Sequence, residues 1–320
     1  MSVPLGVDLG STRVRVAAGE RNRAGEVRLR AVVSRDLPDD TPARTLEEPA
    51  YIAAAIEDLL GEIGGKERRA VLGIGAPAAT LRYVKFPKMS WAERLRAARF
   101  ESQRWVGFDT GGTQSIVRVH PVPGSDGVYA VGAAISSVMQ QRAGVAAAAG
   151  LRVVAVDYEA CAVRRLFREV DAVIDVGAEH CTVHAYGALG PLAAFVDMGG
   201  NSVTQAIARE LSLDYSTAEK RKRILGCAGA GAEAHDNLIA AIAAAIERVR
   251  ARSAIGSVAV IGNGARLPRF AQDLESATGA RTAMPVPPLL EGPAYPVDVV
   301  RVAAPDWSLA AGLLAWSTAL

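Results

Sequence analysis

Residues 5–17 read LGVDLGSTRVRVA, and residues 172–186, in the second half of the chain, read AVIDVGAEHCTVHAY. Each is an apolar run ending in Asp, followed by an apolar residue, a glycine, a small residue and a segment alternating on a period of two. Alternation on both sides of a glycine turn predicts a β-hairpin. A chain that builds the same acidic hairpin twice, half its length apart, is constrained to a duplicated architecture of two related lobes.

The remaining pattern fits that constraint. With 320 residues, 50% of them hydrophobic and 22% charged, the chain can bury two medium-sized cores. EVRLRAVVSRDL extends the first hairpin as a third strand, and EEPAYIAAAIEDLLGEIGG has helical spacing with a Gly-Gly stop. RAVLGIGAP and TLRYVKFPKM read as strands, and SWAERLRAARFESQRWV as a helix opened by a Ser90–Glu93 capping box. VYAVGAAIS, VMQQRAGVAAAAGL, RVVAVDYEA and ACAVRRLFREV continue as strand, helix, strand and helix. In the second half PLAAFVDMGG is a strand, 201–211 a helix, DYSTAEKRKRIL a polar helix and HDNLIAAIAAAIERVRARS a long one. SVAVIGNGARLPRFAQDLESATG reads strand–turn–helix, PAYPVDVV a Pro-marked loop and WSLAAGLLAW a closing helix. Strands alternating with helices give an α/β fold.

Several function classes drop out. A net charge of +2 makes no electrostatic case for nucleic acid, and ERLRAARFESQRW reads as a solvated helix face. Cys161, Cys181 and Cys227 are odd in number and lack metal-type spacing, which predicts buried, inert thiols in a reducing compartment. The chain enters a strand almost at once, so no cleavable signal is expected. AGVAAAAGL and LIAAIAAAI fall short of the roughly 20 residues that span a bilayer. A soluble protein is expected. GIGAPA and GEIGGKE imitate a dinucleotide fingerprint and a P-loop. Pro77 denies the first its helix, and Glu67 replaces the hydroxyl residue of the second.

If the two hairpins face one another, their turns can hold phosphate oxygens on backbone N–H groups at Gly10, Ser11 and Thr12 and at Gly177 and Ala178. Asp8 and Asp175 would then hold a hydrated Mg²⁺, an ion that keeps several waters and takes few protein ligands. A single Asp-x-Gly hairpin is only a tight turn; two at lobe starts suggest a site. In VAVIGNGARLPRF, Gly262 and Gly264 let a flat ligand approach the backbone, or simply link strand to helix. Glu219 and Lys222, three apart on one helix face, form a surface ion pair or grip ribose hydroxyls.

Together these stretches resemble the actin-like ATPase superfamily, whose fold is two-lobed, a duplicated ribonuclease H-like unit. VDLGSTRVRVA looks like its first phosphate motif, VIDVGAEHCTVHAY its second, VDYEACAVRRLF its first connecting helix and IGNGARL its adenosine motif. The resemblance implies ATP between the lobes, contacts from Gly262, Asn263, Gly264 and Arg266, and nucleoside contacts from Glu219 and Lys222. Glu159 matches the position of a residue that orients the attacking water; a helix-start Glu favoured by the helix dipole is the alternative. His180 is a weaker candidate beside the phosphates, and His184, on an alternating strand, reads as surface.

Residues 69–109, with Arg82, Phe86-Pro87, Glu93, Glu101 and Phe108, resemble the corresponding part of the PilM family of type IV pilus assembly. FVDMGGNSVTQAIARELSLDYSTAEKRK is similar to that family's Gly-Gly stretch, here Gly199 and Gly200, and the helix after it. The resemblance implies subdomain 1A at 1–79 and 155–170, and an inserted subdomain 1C of the FtsA/PilM type at 80–154. Subdomain 2A would take 171–213 and 255–320, and 2B 214–254. It further implies that the surface between 1C and the first lobe holds the N-terminal peptide of a PilN-like inner-membrane protein. The chain would then lie in the cytoplasm at the inner face of the membrane, reaching it only through that partner, with a ring or filament of copies as a further expectation. Glu179 and Asn263 depart from the family's pattern, so slow or absent hydrolysis is expected and a nucleotide-free scaffold is the alternative. A small-molecule kinase and an FtsA-like filament protein are the competing functions.

Overall fold

The computed structural model describes residues 2–37, 49–104, 115–187, 190–292 and 294–316. β1 (Leu5–Leu9), β2 (Arg13–Arg21) and β3 (Val27–Asp36) form an antiparallel meander. Helix α1 (Pro49–Ile63) crosses over, and β4 (Arg69–Ile74) returns parallel to β1. Ile52, Ala53, Ile56, Leu59 and Leu60 recur at three- and four-residue spacing, so one stripe of α1 is buried.

The chain then leaves this sheet. β5 (Ala79–Lys85), α2 (Trp91–Gln103), β6 (Ser115–Pro121) and β7 (Val128–Ile135) build a separate antiparallel sheet in the order β5-β7-β6. The capping box forms: Ser90 Oγ accepts from the Glu93 N–H at 3.3 Å, and the Glu93 carboxylate accepts from the Ser90 N–H at 2.8 Å. Strand β6 was not legible in the sequence, because exposed Arg118 and His120 interrupt a short apolar run on an edge strand. Phe108 lies outside the described residues. Helix α3 (Ser136–Ala148) continues from β7 without a linker, and β8 (Arg152–Tyr158) returns to the first sheet beside β4.

Helix α4 (Glu159–Leu166) leads into the second sheet, where β9 (Ala172–Val176), β10 (Cys181–Gly187) and β11 (Gly190–Val196) repeat the meander. Helices α5 (Gly200–Leu211), α6 (Tyr215–Leu225) and α7 (Ala232–Arg250) follow. β12 (Ser257–Ile261) then pairs parallel to β9, and after α8 (Phe270–Thr278) a short β13 (Arg281–Ala283) completes the sheet. The strand orders β3-β2-β1-β4-β8 and β11-β10-β9-β12-β13 are the same topology written twice.

The closing helix departs from expectation. Helix α9 (Val297–Leu314) starts inside the segment read as a loop and runs on through Pro305. Proline removes a helix hydrogen bond, and its fixed φ makes such segments look like loops in a sequence. Its packing is also shared, although 255–320 groups with the second lobe by sequence. Val300, Ala304, Trp307, Ala310 and Leu314 pack with Val3, Ala17, Leu29 and Val32 of the first sheet and its approach. Leu309 and Leu313 join Val71, Ala162, Val173 and Ile261 between the two sheets.

That interlobe layer corrects the placement of His184. The residue is 0% exposed and shares a sheet face with Val173, its cross-strand partner, so the face opposite α7 is covered rather than solvated. Neither ring nitrogen has a hydrogen-bond partner among the described residues, and burial pushes its pKa down to about 4. The three cysteines are free thiols, each pushed up chiefly by burial.

Candidate functional site

The two hairpin turns are built alike. The Gly10 N–H donates to the Arg13 carbonyl at 3.1 Å, and the Gly177 N–H to the His180 carbonyl at 3.0 Å. A β-carbon at Gly10 would lie 2.8 Å from that carbonyl oxygen, and one at Gly177 would lie 2.7 Å from its counterpart. Both glycines are therefore required by a close backbone approach. Two residues before each glycine stands the Asp, at equivalent positions in β1 and β9.

The chemistry beneath the turns differs. Asp8 faces Arg15 across the first hairpin, whereas Asp175 faces Thr182 across the second. Arg15 Nη1 donates to Asp8 Oδ2 at 2.8 Å, and its Nε and Nη2 donate to Asp306 Oδ1 at 2.9 and 2.6 Å. Arg13 adds a bond from Nη1 to Asp306 Oδ2 at 2.9 Å and one from Nε to Asp36 Oδ1. Asp8, Arg15 and Asp306 are 8%, 9% and 3% exposed, so this chain of charges is buried and mutually satisfied. Burial alone would raise Asp306, but the two guanidiniums hold its carboxyl below the usual range. Sequence reasoning missed Arg13, Arg15 and Asp306. The available signal was a pair of arginines two apart on a strand entering an acidic turn.

The Asp175 carboxyl makes no side-chain hydrogen bond among the described residues, although its backbone pairs with β10 and β12. Burial, reinforced by Asp8, pushes its pKa up to about 7 against the opposing pull of Arg15. Glu159, half-buried at the first position of α4, is pushed up to about 8 by burial, with Arg142 opposing and Asp8, Asp175 and Asp157 adding to the rise. A half-buried carboxylate left unpaired accepts a proton or a cation. Among the described residues no three His, Cys, Asp or Glu side chains converge as a metal cage. That arrangement suits a hydrated Mg²⁺ at Asp175 and the free oxygen of Asp8, and does not suit a closed site.

Across the cleft, α5 docks directly on the second turn. The Gly200 N–H donates to the Gly177 carbonyl at 3.0 Å, and the Asn201 N–H to the Ala178 carbonyl at 2.7 Å. A β-carbon on Gly199 would lie 2.6 Å from the Ala178 carbonyl oxygen, so Gly199 fixes this junction from behind and does not line the cleft. Lys222 Nζ donates to the Gly200 carbonyl at 3.0 Å, to Thr204 Oγ1 at 2.7 Å and to Glu219 at 2.6 Å. Arg223 Nε reaches the same carboxylate at 2.8 Å. Glu219 and Lys222 thus form the ion pair foreseen as one alternative, but in the cleft wall and not on open surface. Burial would raise Glu219, yet these donors hold it low; burial also lowers Lys222, with Glu219 opposing.

The third turn closes the site. Gly262 has φ of +84°, and a β-carbon there would lie 2.4 Å from Asp175 Oδ1. Its N–H donates to the Pro305 carbonyl at 2.8 Å, anchoring the turn to α9. Asn263 and Arg266 follow in a single 3-10 turn and bond through Oδ1 and Nη1 at 3.2 Å.

One cleft of about 930 Å³ brings these parts together. Asp8, Gly10, Ser11, Thr12, Glu159, Asp175, Gly177, Ala178, Gly200, Glu219, Lys222, Gly262, Asn263, Gly264 and Arg266 all line it. So do Glu179, whose carboxyl is raised by burial and Asp197, and His180, whose ring is tucked against Phe195.

The PilM–PilN type IV pilus biogenesis complex contains a chain that superposes with a TM-score of 0.77 at 23% identity, covering 97% of each chain. The ethanolamine utilization protein EutJ from Carboxydothermus hydrogenoformans superposes with a TM-score of 0.61 at 15% identity, over 98% of this chain and 89% of that one. Both likenesses give the fold, a two-lobed actin-like architecture. Among curated proteins none matches the chain by sequence. No helix of the described residues is long and apolar enough to cross a membrane. A sequence model of the family described as type IV pilus assembly protein PilM matches residues 6–284. The chain belongs to that PilM family.

Proposed function

We propose that the cleft binds ATP with a hydrated Mg²⁺, and that the chain is a scaffold of type IV pilus assembly rather than a rapid enzyme. The observation that carries this reading is the convergence of two equivalent glycine turns, each with an Asp beneath it, on one cleft. Turn N–H groups at Ser11, Thr12 and Ala178, outside the sheet ladders, would take phosphate oxygens. Gly262, Asn263, Gly264 and Arg266 would flank the base, with Lys222 and Glu219 at the ribose. The ion supplies charge neutralisation of the phosphates, and Asp175 holds it through water. Burial pushes the Glu159 carboxyl up to about 8, which favours its protonated form near neutrality and would make it a weak general base, in keeping with slow or absent hydrolysis.

The partner reading rests on the family and on the neighbour that is a PilM–PilN complex. We take residues 80–154 as the inserted subdomain, with the N-terminal peptide of a PilN-like inner-membrane protein held between it and the first lobe. That partner brings the chain to the inner face of the membrane, where copies assemble as a ring or filament.

Calorimetric titration with Mg-ATP tests the cofactor. Heat is expected from the unaltered protein and strongly reduced heat from Asp8→Ala and Asp175→Ala; a silent parent protein removes ATP from the function. Co-purification with the partner's N-terminal peptide tests the scaffold role, and failure both with and without nucleotide overturns it. Fast turnover dependent on a sugar would replace the scaffold with a kinase.

A further inference from the structure

Arg142 also lines the cleft and belongs to neither hairpin. Arg142 sits on α3, the helix that continues from β7 of the three-stranded sheet with no residue between them. Its Nη1 reaches across the ends of two strands of the first sheet, donating to the Gly73 carbonyl at 3.1 Å and the Leu9 carbonyl at 3.5 Å. Leu9 immediately precedes the first phosphate turn. The rest of the guanidinium is uncommitted: among the described residues Nη2 makes no hydrogen bond, and Nε is buried without a partner.

Its charge acts on both sides of the cleft. Arg142 opposes the upward shift of Glu159 from the first lobe and adds to the downward shift that burial imposes on His180 of the second hairpin. The Arg142 side chain lines the same cleft as Gly10 and Gly177, anchored at the Leu9 carbonyl beside the first turn. A guanidinium in the cleft with Nη2 uncommitted has a donor to offer, and a phosphate oxygen is an acceptor its planar fork fits.

We propose that Arg142 is a phosphate-reading residue, engaging the terminal phosphate of a bound nucleoside triphosphate and so tying occupancy of the cleft to the position of the three-stranded sheet. This rests on the nucleotide reading above. The connection is mechanical: a pull on Arg142 acts on α3, whose Val138 and Met139 pack with Ala79 of β5 and Ala134 of β7, while Val145 and Ala146 pack in the core of the first sheet. The sheet on which the partner peptide depends would therefore register whether the third phosphate is present. Arg142 is a positioning and binding group here and takes no part in bond making.

The test titrates ATP, a non-hydrolysable triphosphate analogue and ADP into the parent protein, Arg142→Gln and Arg142→Lys. Arg142→Gln is expected to weaken both triphosphates by about 10- to 100-fold, as for loss of a charge-assisted bond, and ADP by less than about threefold. Arg142→Lys keeps a donor for the Gly73 carbonyl and should fall between, with unchanged thermal unfolding as the check that it folds. Hydrogen exchange supplies a second readout: triphosphate should protect β5, β6 and β7 in the parent protein and leave them unprotected in saturated Arg142→Gln. Equal losses for ATP and ADP, or an unchanged ratio, would overturn the inference while leaving nucleotide binding intact. A parent protein that binds neither nucleotide removes the nucleotide reading and this inference with it.

Discussion

Arg15 meets Asp306 through two donors on one carboxylate oxygen, Nε at 2.9 Å and Nη2 at 2.6 Å, across 291 residues of sequence. The same guanidinium holds Asp8, so the acid beneath the first turn is oriented by a residue of the closing helix. Asp306→Ala should leave buried Arg15 with Asp8 as its one remaining ion-pair partner among the described residues, at a cost on the order of 3–5 kcal/mol. Urea unfolding measures it. The double variant Arg15→Met, Asp306→Leu should recover much of that loss while still impairing nucleotide binding, separating stability from function.

Protonation of Asp175 sets a pH dependence. Its folded pKa of about 7 lies well above its ordinary value, so the folded state holds a proton that the unfolded chain has released between those limits. The associated stability is present at low pH and is lost as pH rises towards and through 7. Asp175→Asn should flatten the melting-temperature profile between pH 5 and pH 8 by about a few degrees. A divalent ion prefers the ionised carboxylate, so Mg-ATP affinity should rise over the same window in the parent protein and stay level in the variant.

At Gly262 the backbone is left-handed and a β-carbon would press on Asp175 Oδ1 and on the Val176 carbonyl, 2.5 Å away. Gly262→Ala should therefore destabilise the fold by about 1–3 kcal/mol and abolish nucleotide heat, because the third turn and the second acid are displaced together. Gly25, also left-handed but with open space around it, is the control: Gly25→Ala bears only the backbone strain and should leave binding unchanged.

His184 gives the opposite pH slope. Its folded pKa of about 4 lies below the ordinary value, so stability is present above about 6.5 and falls as the pH drops towards 4. His184→Leu removes two unsatisfied buried nitrogens and should stabilise the protein by about 1–3 kcal/mol at pH 5. An unfolding titration from pH 7 to pH 4 checks this, and the gain should shrink towards neutrality.

The hairpins, the capping box and the glycine turns were legible because their determinants lie within a few residues of one another. Ser90 and Glu93, or Asp8 and Gly10, need no distant partner to be recognised. Arg15, Arg142 and Asp306 were invisible as site residues, since each acquires its role from groups brought close only by the fold. His184 was misplaced for a related reason. Alternation in β10 reports which residues share a face, but not whether α4 and α9 cover that face. Glu219 and Lys222 show a third case, where the spacing gave the pair correctly and only the packing of α6 on α5 put it in the cleft wall.

Helix α9 has a consequence for dividing the polypeptide. A fragment ending near the close of α4 would keep all five strands of the first sheet yet lack the lid that covers Val3, Ala17, Leu29 and Val32, leaving an oily surface open to water. The complementary fragment would carry α9 with half its apolar stripe bare. Expressed separately each should aggregate, and produced together they should reassemble, because the last helix belongs as much to the opening strands as to those that precede it.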